Sequence, residues 1–160
     1  MSGHDRKWPD LAGRIEGETH VLPVRVYFED TDCGGVVYHA NFLKFCERGR
    51  SDFIRLLGIE AKSLADPAQG QGEPAIFVVR RVEIDYLKPG GMDDVLEVVT
   101  TCAEIGSASL VLQQDVRRDG TLLASAKVTV VLVSGTGKPQ RLGALVRRAL
   151  QRFVNQARET

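Results

Sequence analysis

The stretch at residues 24–58, VRVYFEDTDCGGVVYHANFLKFCERGRSDFIRLLG, changes its apolar period partway along, and this change decides the fold. Val24, Val26 and Phe28 alternate with more polar residues, which predicts a half-buried strand. From Asn41 onward, apolar residues recur every three or four positions, which predicts an amphipathic helix. The ten residues around the change, DTDCGGVVYH, hold more acids and glycines than a connection needs, so they are candidates for chemistry.

The predicted helix carries its apolar side chains on one stripe. That stripe consists of Phe42, Cys46, Gly49, Phe53 and Leu57, widened by Leu43, Phe45, Ile54 and Leu56. Gly58 follows these residues and predicts a C-terminal stop. Gly49 costs roughly 1 kcal/mol of helix propensity, so we expect it to permit close packing against a sheet.

Strands follow strands in the rest of the chain. Four β-rich runs predict strands at 76–87, 95–105, 109–116 and 121–133, and Asp119-Gly120 predicts a hairpin between the last two. Helical spacing returns at 142–153. Because helices do not alternate with strands, this order predicts an α+β fold. We expect a five-stranded antiparallel sheet wrapped around the long helix, with a C-terminal helix after it.

The length and charge of the chain limit the classes of protein it can be. Its 160 residues suggest a single domain at 21–160. We expect a flexible N-terminal arm at 1–20, because apolar residues there show neither the helical nor the strand period. Basic and acidic residues both number 21, so nothing in the composition favours nucleic acid as a partner. Three scattered cysteines without a CxxC pair favour a reducing compartment. The start lacks an apolar signal core and no apolar run is long enough to span a bilayer, so we expect a soluble, cytoplasmic protein with no integral membrane segment.

Three kinds of site fit the 30–39 cluster poorly. A calcium loop of the EF-hand type needs a bidentate glutamate where Asn41 stands, and a helix where a strand is predicted. An aspartyl phosphatase nucleophile needs a parallel, doubly wound sheet, which the strand order does not provide. Cys33, with His39 as its base, would make a thiol nucleophile, but a small buried filler in a tight turn is the commoner role for cysteine. The histidines show no metal-binding spacing.

Acyl transfer fits the same cluster better. The first amides of a helix lack intrahelical acceptors and carry positive potential, so they can polarise a carbonyl and hold an oxyanion. Gly34 and Gly35 let a ligand approach the backbone closely. An aspartate just before the helix can act as nucleophile or as general base, while His39 can orient the thioester or water or help protonate the departing thiolate. The plainer alternative is that Asp30 or Asp32 caps a turn and His39 is a satisfied polar residue.

Residues 24–50 resemble the signature of the hotdog-fold acyl-CoA thioesterases of the hydroxybenzoyl-CoA thioesterase type, and are most similar to its Tol–Pal-associated branch. The resemblance continues through FVVRRVEIDYLKPGGMDDVLEV at 77–98 and the next strand, and covers roughly residues 23–135. It implies the hotdog fold, homodimers with sites at the subunit interface that assemble to homotetramers, and an acyl-CoA or acyl-carrier-protein thioester as substrate. A thiolate leaves readily, so no metal or other cofactor is required, and coenzyme A is part of the substrate.

The same resemblance assigns roles to single residues. It implies that Asp32 is the catalytic carboxylate, that His39 is the histidine paired with it, and that the backbone amide of His39 polarises the thioester carbonyl. Asp30 matches a motif position without a catalytic role. The substrate-binding residues implied around the site are Gly34, Gly35, Val37, Tyr38 and Phe42. Cys33 stands where alanine is usual, which puts no catalytic group in doubt.

Two alternatives stay open on the sequence alone. A second hotdog subclass places its catalytic acid on the central helix, where Glu47 lies, although an ion pair with Arg48 or Arg50 is the plainer role for that side chain. A hotdog dehydratase and a non-catalytic acyl-CoA-binding module are the rival functions, and both differ from a hydrolase in releasing no thiol.

Overall fold

The fold is a single antiparallel sheet that curves around one long helix. A computed structural model describes residues 10–66 and 74–154. Its elements are β1 Arg14–Glu16, β2 Thr19–Arg25, α1 His39–Leu56, β3 Ile76–Tyr86, β4 Val95–Ile105, β5 Ser109–Arg118, β6 Thr121–Val133 and α2 Ala144–Gln151. Short 3₁₀ turns lie at Phe28–Asp30 and Ala61–Ser63.

The sheet has the strand order β1-β2-β4-β5-β6-β3, and every neighbouring pair is antiparallel. Helix α1 packs across β2, β4 and β5, and α2 packs near β4. This arrangement confirms the α+β prediction of a sheet around a long helix followed by a C-terminal helix. The predicted hairpin is also present, since Asp119 and Gly120 both have positive φ between β5 and β6.

The sheet has six strands rather than the five predicted. β1 pairs with β2 through a tight turn at Gly17, whose φ is +59°. Residues 14–20 therefore belong to the sheet, and only the part of the predicted arm before residue 10 lies outside the described residues. A strand of three residues is too short to show alternation, which is why the sequence pattern misses it.

The first predicted strand also ends earlier than its alternation suggests. β2 stops at Arg25, and the chain then bends into the 3₁₀ turn. Val26 is fully buried, as predicted, but Phe28 is 81% exposed instead of facing the core. The turn breaks the period of two, so Phe28 is carried to the surface next to Asp32.

The two glycines singled out on the helix behave as predicted. A Cβ at Gly49 would lie 2.9 Å from Val98 Cγ1 and 3.2 Å from Gln114 Nε2, so the helix backbone approaches the sheet closely at that point. Gln114 is fully buried and bonds across the same contact, donating to the Cys46 carbonyl at 2.9 Å and accepting from Arg50 at 2.9 Å. Gly58 has a φ of +71° just after the helix ends.

A buried polar pair joins β2 to α1. His20 is fully buried, its Nε2 lies 2.7 Å from Asp52 Oδ2, and Arg55 pairs with the other carboxylate oxygen. The imidazole packs against Phe53 with ring centroids 5.2 Å apart, and its Nδ1 has no hydrogen-bond partner among the described residues. Gly13 lies directly over this carboxylate, because a Cβ there would come within 1.7 Å of Asp52 Oδ2.

Strand β3 forms one edge of the sheet and is largely uncovered. Within residues 10–66 and 74–154 it pairs only with β6, and most of its residues are exposed on both faces. Its exposed apolar side chains include Ile76, Val78, Val79, Val82 and Tyr86. Between β3 and α1 runs an open groove of about 340 Å³ whose walls include Phe77, Val79, Glu47 and Arg50. Soluble proteins seldom leave a long apolar edge unpaired, so this edge is a candidate interface.

Candidate active site

The connection between β2 and α1 folds into a small hairpin. The amide of Asp32 donates to the Val36 carbonyl at 2.8 Å, and the amide of Gly35 donates back to the Asp32 carbonyl at 3.1 Å. A bridge between Thr31 and Val37 closes the hairpin. Gly35 has a φ of +79°, a conformation that favours glycine, so the turn requires this residue for its backbone.

The hairpin presents the carboxylate of Asp32 to solvent. One oxygen, Oδ1, accepts from the amide of Gly34 at 2.8 Å and from that of Val36 at 3.4 Å. Asp32 itself is exposed and lines an open cavity of about 590 Å³. The other residues lining this cavity are Phe28, Glu29, Thr31, Cys33, Tyr38, Ala40, Asn41 and Lys44. A carboxylate that accepts two amide bonds is held in place while one oxygen stays available for chemistry.

Asp30 has a different environment from Asp32. It is buried, its Oδ2 accepts from the amide of Tyr27 at 2.9 Å, and its backbone carbonyl accepts from the amide of Tyr38 at 2.9 Å. The side-chain amide of Asn41 donates to the same carbonyl at 2.8 Å. The two acids of the motif are therefore not equivalent, and Asp30 anchors the hairpin to the first turn of the helix.

The N-terminus of α1 faces the same region. The amide of Asn41 donates to the Tyr38 carbonyl at 2.8 Å, whereas the amides of His39 and Ala40 donate to no acceptor among the described residues. No described side chain caps this end of the helix. Free amides at a helix start carry positive potential, so they can polarise a carbonyl group placed against them and stabilise the oxyanion formed on attack.

The imidazole of His39 lies on the other side of the helix start. Its ring contacts those of Tyr38, at 4.6 Å between centroids, and Tyr86, at 5.9 Å. No hydrogen bond joins it to Asp32 within the described part of the chain, and the loop amides of Gly34 and Val36 are the donors to that carboxylate. The structure thus brings both predicted catalytic residues to one helix end, with Tyr38 between them.

The predicted substrate-binding residues divide into two groups. Tyr38 lines the cavity with Asp32, and Gly34 and Gly35 are exposed beside it. Val37 and Phe42 are only 5% and 3% exposed and do not line this cavity. Both are core residues that support the helix start from beneath, a distinction that apolar character alone does not reveal.

Sequence reasoning missed Tyr86 at this site. The last residue of β3, it packs edge-on against Phe42, with ring centroids 5.7 Å apart, as well as against His39. Burial, and to a lesser extent the neighbouring Cys46, raises the pKa of the Tyr86 phenol above its ordinary value, so the hydroxyl stays protonated at neutral pH. Its position at the end of a strand, far along the chain from His39, gives no local signal.

The alternative nucleophile and acid occupy other environments. Cys33 is exposed and lines the cavity, so it is not the buried filler expected from its residue type. All three cysteines are free. Glu47 pairs with Arg50 and lies 3.5 Å from the Ser51 hydroxyl, within the groove along β3 and not in the cavity at Asp32. The plainer role given to Glu47, an ion pair on the helix surface, is the one observed.

Among the described residues, no helix is long and apolar enough to pass through a bilayer.

Comparisons with known proteins agree on the kind of protein. A family model described as the thioesterase superfamily matches residues 34–125. The acyl-CoA thioesterase YbgC of Haemophilus influenzae is 41% identical over 119 residues, which cover 74% of this chain and 84% of that protein. The acyl-CoA thioester hydrolase YbgC of Escherichia coli O6:H1 is 42% identical over 112 residues, or 69% of this chain and 79% of that protein. The crystal structure of a probable thioesterase from Bartonella henselae is 39% identical, with a TM-score of 0.70, and covers 78% of this chain and 98% of that one.

Proposed function

This chain belongs to the thioesterase superfamily as an acyl-CoA thioester hydrolase, and from that premise we propose that Asp32 and the N-terminus of α1 form its catalytic centre. One observation carries the proposal. An exposed carboxylate with a free oxygen lines the same cavity as the first turn of a helix whose first two amides have no acceptor among the described residues. A thioester needs both groups, a nucleophile or base and a donor for the oxyanion.

The thioester carbonyl binds against the first turn of α1. There the amide of His39 donates to the carbonyl oxygen, with the helix dipole adding positive potential. Tyr38 and the Gly34-Gly35 turn shape the wall beside the reacting carbon, since Tyr38 lines the cavity and the glycines leave the backbone open. The acyl group belongs to a coenzyme A or an acyl-carrier-protein thioester, because both present the same reacting group.

Asp32 supplies the attack on the carbonyl. The ionised carboxylate either adds to the carbonyl carbon, giving an anhydride that water then opens, or removes a proton from water as the water attacks. Both routes begin at the oxygen left free by the loop amides, and both expel a thiolate. After a single turnover in ¹⁸O-labelled water, label in Asp32 identifies the nucleophilic route with water attacking the aspartyl carbon of the anhydride, and trapping the acyl-enzyme identifies that route whichever carbon the water attacks.

The imidazole of His39 acts on the leaving-group side of the thioester. It lies at the same helix end on the Tyr86 side, so it is available to orient the thioester or protonate the thiolate. Thiolates are good leaving groups, and the proposal therefore includes no metal and no redox cofactor. We place the enzyme in the cytoplasm, because its three cysteines are free and a reducing compartment keeps thiols in that state.

The assembly we propose is a homodimer that pairs further into a homotetramer. The uncovered edge of β3 and the apolar groove beside it support a second copy as their occupant, because strand pairing would satisfy the open edge. Light scattering after gel filtration tests this assembly, and a monomer at micromolar concentration would contradict it.

The test of the catalytic proposal is Asp32→Asn, assayed by thiol release from acetyl-, butyryl-, hexanoyl-, decanoyl- and benzoyl-CoA. We expect kcat to fall by about 10²–10⁴-fold, the range for losing a positioned base. Glu29→Gln is the matched control, because Glu29 is an exposed carboxylate lining the same cavity. Its kcat should stay within about two-fold of wild type. A folded Asp32→Asn enzyme with wild-type turnover would refute the role of Asp32, whereas a wild-type enzyme that releases no thiol would refute hydrolysis itself.

A further inference from the structure

The segment at 88–94, KPGGMDD, packs against the hairpin at residues 31–37 that carries Asp32. We refer to this segment as the buttress loop. The amide of Val37 donates to the Gly90 carbonyl at 2.8 Å, and Val36 forms an antiparallel bridge with Gly91. Gly90 is buried, and a Cβ there would lie 3.2 Å from Val37 Cγ2. Val37 precedes the helix by two residues, so the position of the helix start depends on the buttress loop.

An ion pair fixes the buttress loop to the sheet. Asp94 Oδ2 accepts from the Gly91 amide at 2.8 Å and from Arg118 Nη1 at 2.8 Å. The same guanidinium donates to the Pro89 carbonyl at 3.3 Å. Arg118 is the last residue of β5, which belongs to the interior of the sheet and is paired on both sides.

The backbone of the buttress loop is anchored at its far end as well. The amide of Val26 donates to the Asp94 carbonyl at 2.9 Å, and the amide of Asp93 donates to the Val26 carbonyl at 2.9 Å. Partial burial raises the pKa of the Asp94 carboxyl, but the bonds from Gly91 and Arg118 outweigh it, so the pKa lies below its usual range. The carboxylate is therefore ionised at neutral pH and holds the guanidinium as a charged partner.

We propose that Arg118 and Asp94 are positioning residues for hydrolysis, setting through Gly90 and Gly91 where the amide of His39 meets the thioester carbonyl. The inference rests on the proposed function, because it concerns the same oxyanion donor. Such a donor must lie about 2.7–3.1 Å from the oxyanion, so small displacements of the helix start weaken it. Neither charged side chain lines the cavity at Asp32.

The test is Arg118→Gln in the full chain, with Arg117→Gln as the matched control. Arg117 lies at the same end of β5, but it bonds to Asp115 and to the Gly120 carbonyl, neither of which is in the buttress loop. We expect Arg118→Gln to lower kcat about 10-fold while KM stays within about two-fold, a part of the 10²–10³-fold cost of removing a whole oxyanion donor. Arg118→Lys, which restores a cation beside Asp94, should recover much of the rate.

A spectroscopic measurement separates positioning from a general loss of structure. The probe is the acyl-CoA with the highest kcat/KM in the thiol-release assay, labelled with ¹³C at its carbonyl. It is bound to the Asp32→Asn variant, which hydrolyses it slowly, and the position of its carbonyl stretching band is measured. Adding Arg118→Gln to that variant should move the carbonyl stretching band to higher wavenumber, because the carbonyl is less polarised. Adding Arg117→Gln should leave the band where it is.

Two results would overturn the inference. One is a kcat for Arg118→Gln equal to that of Arg117→Gln, and the other is a fall in kcat without movement of the carbonyl band. If Arg118→Gln does not fold, the same two criteria are applied to Asp94→Asn, which keeps the shape of the side chain and removes the charge that pairs with Arg118. Full activity in Asp32→Asn would instead overturn the proposed function, so the two failures are distinguishable.

Discussion

Replacing His20 by phenylalanine should remove an acid sensitivity of unfolding that the buried pair with Asp52 creates. The imidazole has one bonded nitrogen, 2.7 Å from Asp52 Oδ2, and one buried nitrogen without a partner in the part of the chain that the structure describes. The neutral ring fits this site with its proton on Nε2, but a second proton on Nδ1 would be a buried donor with no acceptor. Burial lowers the pKa of His20 below its ordinary 6.5, even though the hydrogen bond to Asp52 and its charge pull the other way.

The sign of the effect follows from where the proton binds. Below about pH 6.5 the unfolded chain takes up a proton on His20 that the folded chain does not, so wild-type stability falls as the pH falls. One proton accounts for at most about 1.4 kcal/mol of unfolding free energy per pH unit. The Asp52 carboxylate, whose pKa is lowered from its ordinary 3.8 mainly by the bonds from His20 and Arg55 acting against desolvation, loses its contribution only in more acid solution.

His20→Phe keeps a ring against Phe53 and has no proton to gain. At pH 8 we expect the variant to be about 1–3 kcal/mol less stable, the cost of leaving a buried hydrogen-bonding group without its partner. The difference should shrink as the pH falls towards 5.5, because only the wild type then loses stability.

Urea unfolding at one chain concentration, from pH 5.5 to 8, measures both curves. Asp52→Asn keeps His20 and should retain the acid slope, which makes it the control. Parallel wild-type and His20→Phe curves across this range would refute the reasoning, since they would mean that His20 takes up the same proton in both states.

Four further substitutions have defined expectations. Gly58→Ala should lower the free energy of unfolding by about 1 kcal/mol in urea, because a φ of +71° strains any side chain even where the space is open. Gln114→Leu should cost about 2–4 kcal/mol in the same assay, since it removes the bonds that the buried Gln114 amide makes to the Cys46 carbonyl and the Thr100 hydroxyl. Glu47→Gln should keep thiol release within about two-fold of wild type, because exposed helix ion pairs contribute little; a 100-fold loss would instead make Glu47 the catalytic acid. Cys33→Ala should likewise keep its rate, and complete inactivation would mark the thiol as the nucleophile.

The sequence predicts the elements of this fold wherever burial is one-sided over many residues. Helix α1 and strands β4 to β6 show clear periods because each of them has one face towards the core, and Gly49 and Gly58 mark a close contact and a stop by their lack of a side chain. The same reasoning fails at β1, which is too short for a period, and at Phe28, where a 3₁₀ turn interrupts the alternation. Local pattern reports burial only while the backbone stays regular.

The sequence indicates which residues are candidates for the site, but it does not indicate how they are arranged in space. Asp32 and His39 stand out because acids, glycines and a histidine before a helix match the needs of acyl transfer. Their separation by Tyr38, the burial of Phe42 and the contact with Tyr86 depend on how a loop and a distant strand meet. Such contacts are set by tertiary packing, and the spacing of residues along the sequence does not predict them.

The order of the charged residues along the exposed edge of β3 affects which strand can pair with it. Arg80 and Arg81 come before Val82, and Glu83 and Asp85 come after it. When this edge pairs antiparallel with its own copy about Val82, the basic half of each strand lies beside the acidic half of the other. A parallel or shifted pairing brings like charges together, which costs free energy. This order of charges therefore favours antiparallel pairing of the edge with its own copy about Val82, in the proposed dimer, over a parallel or shifted pairing.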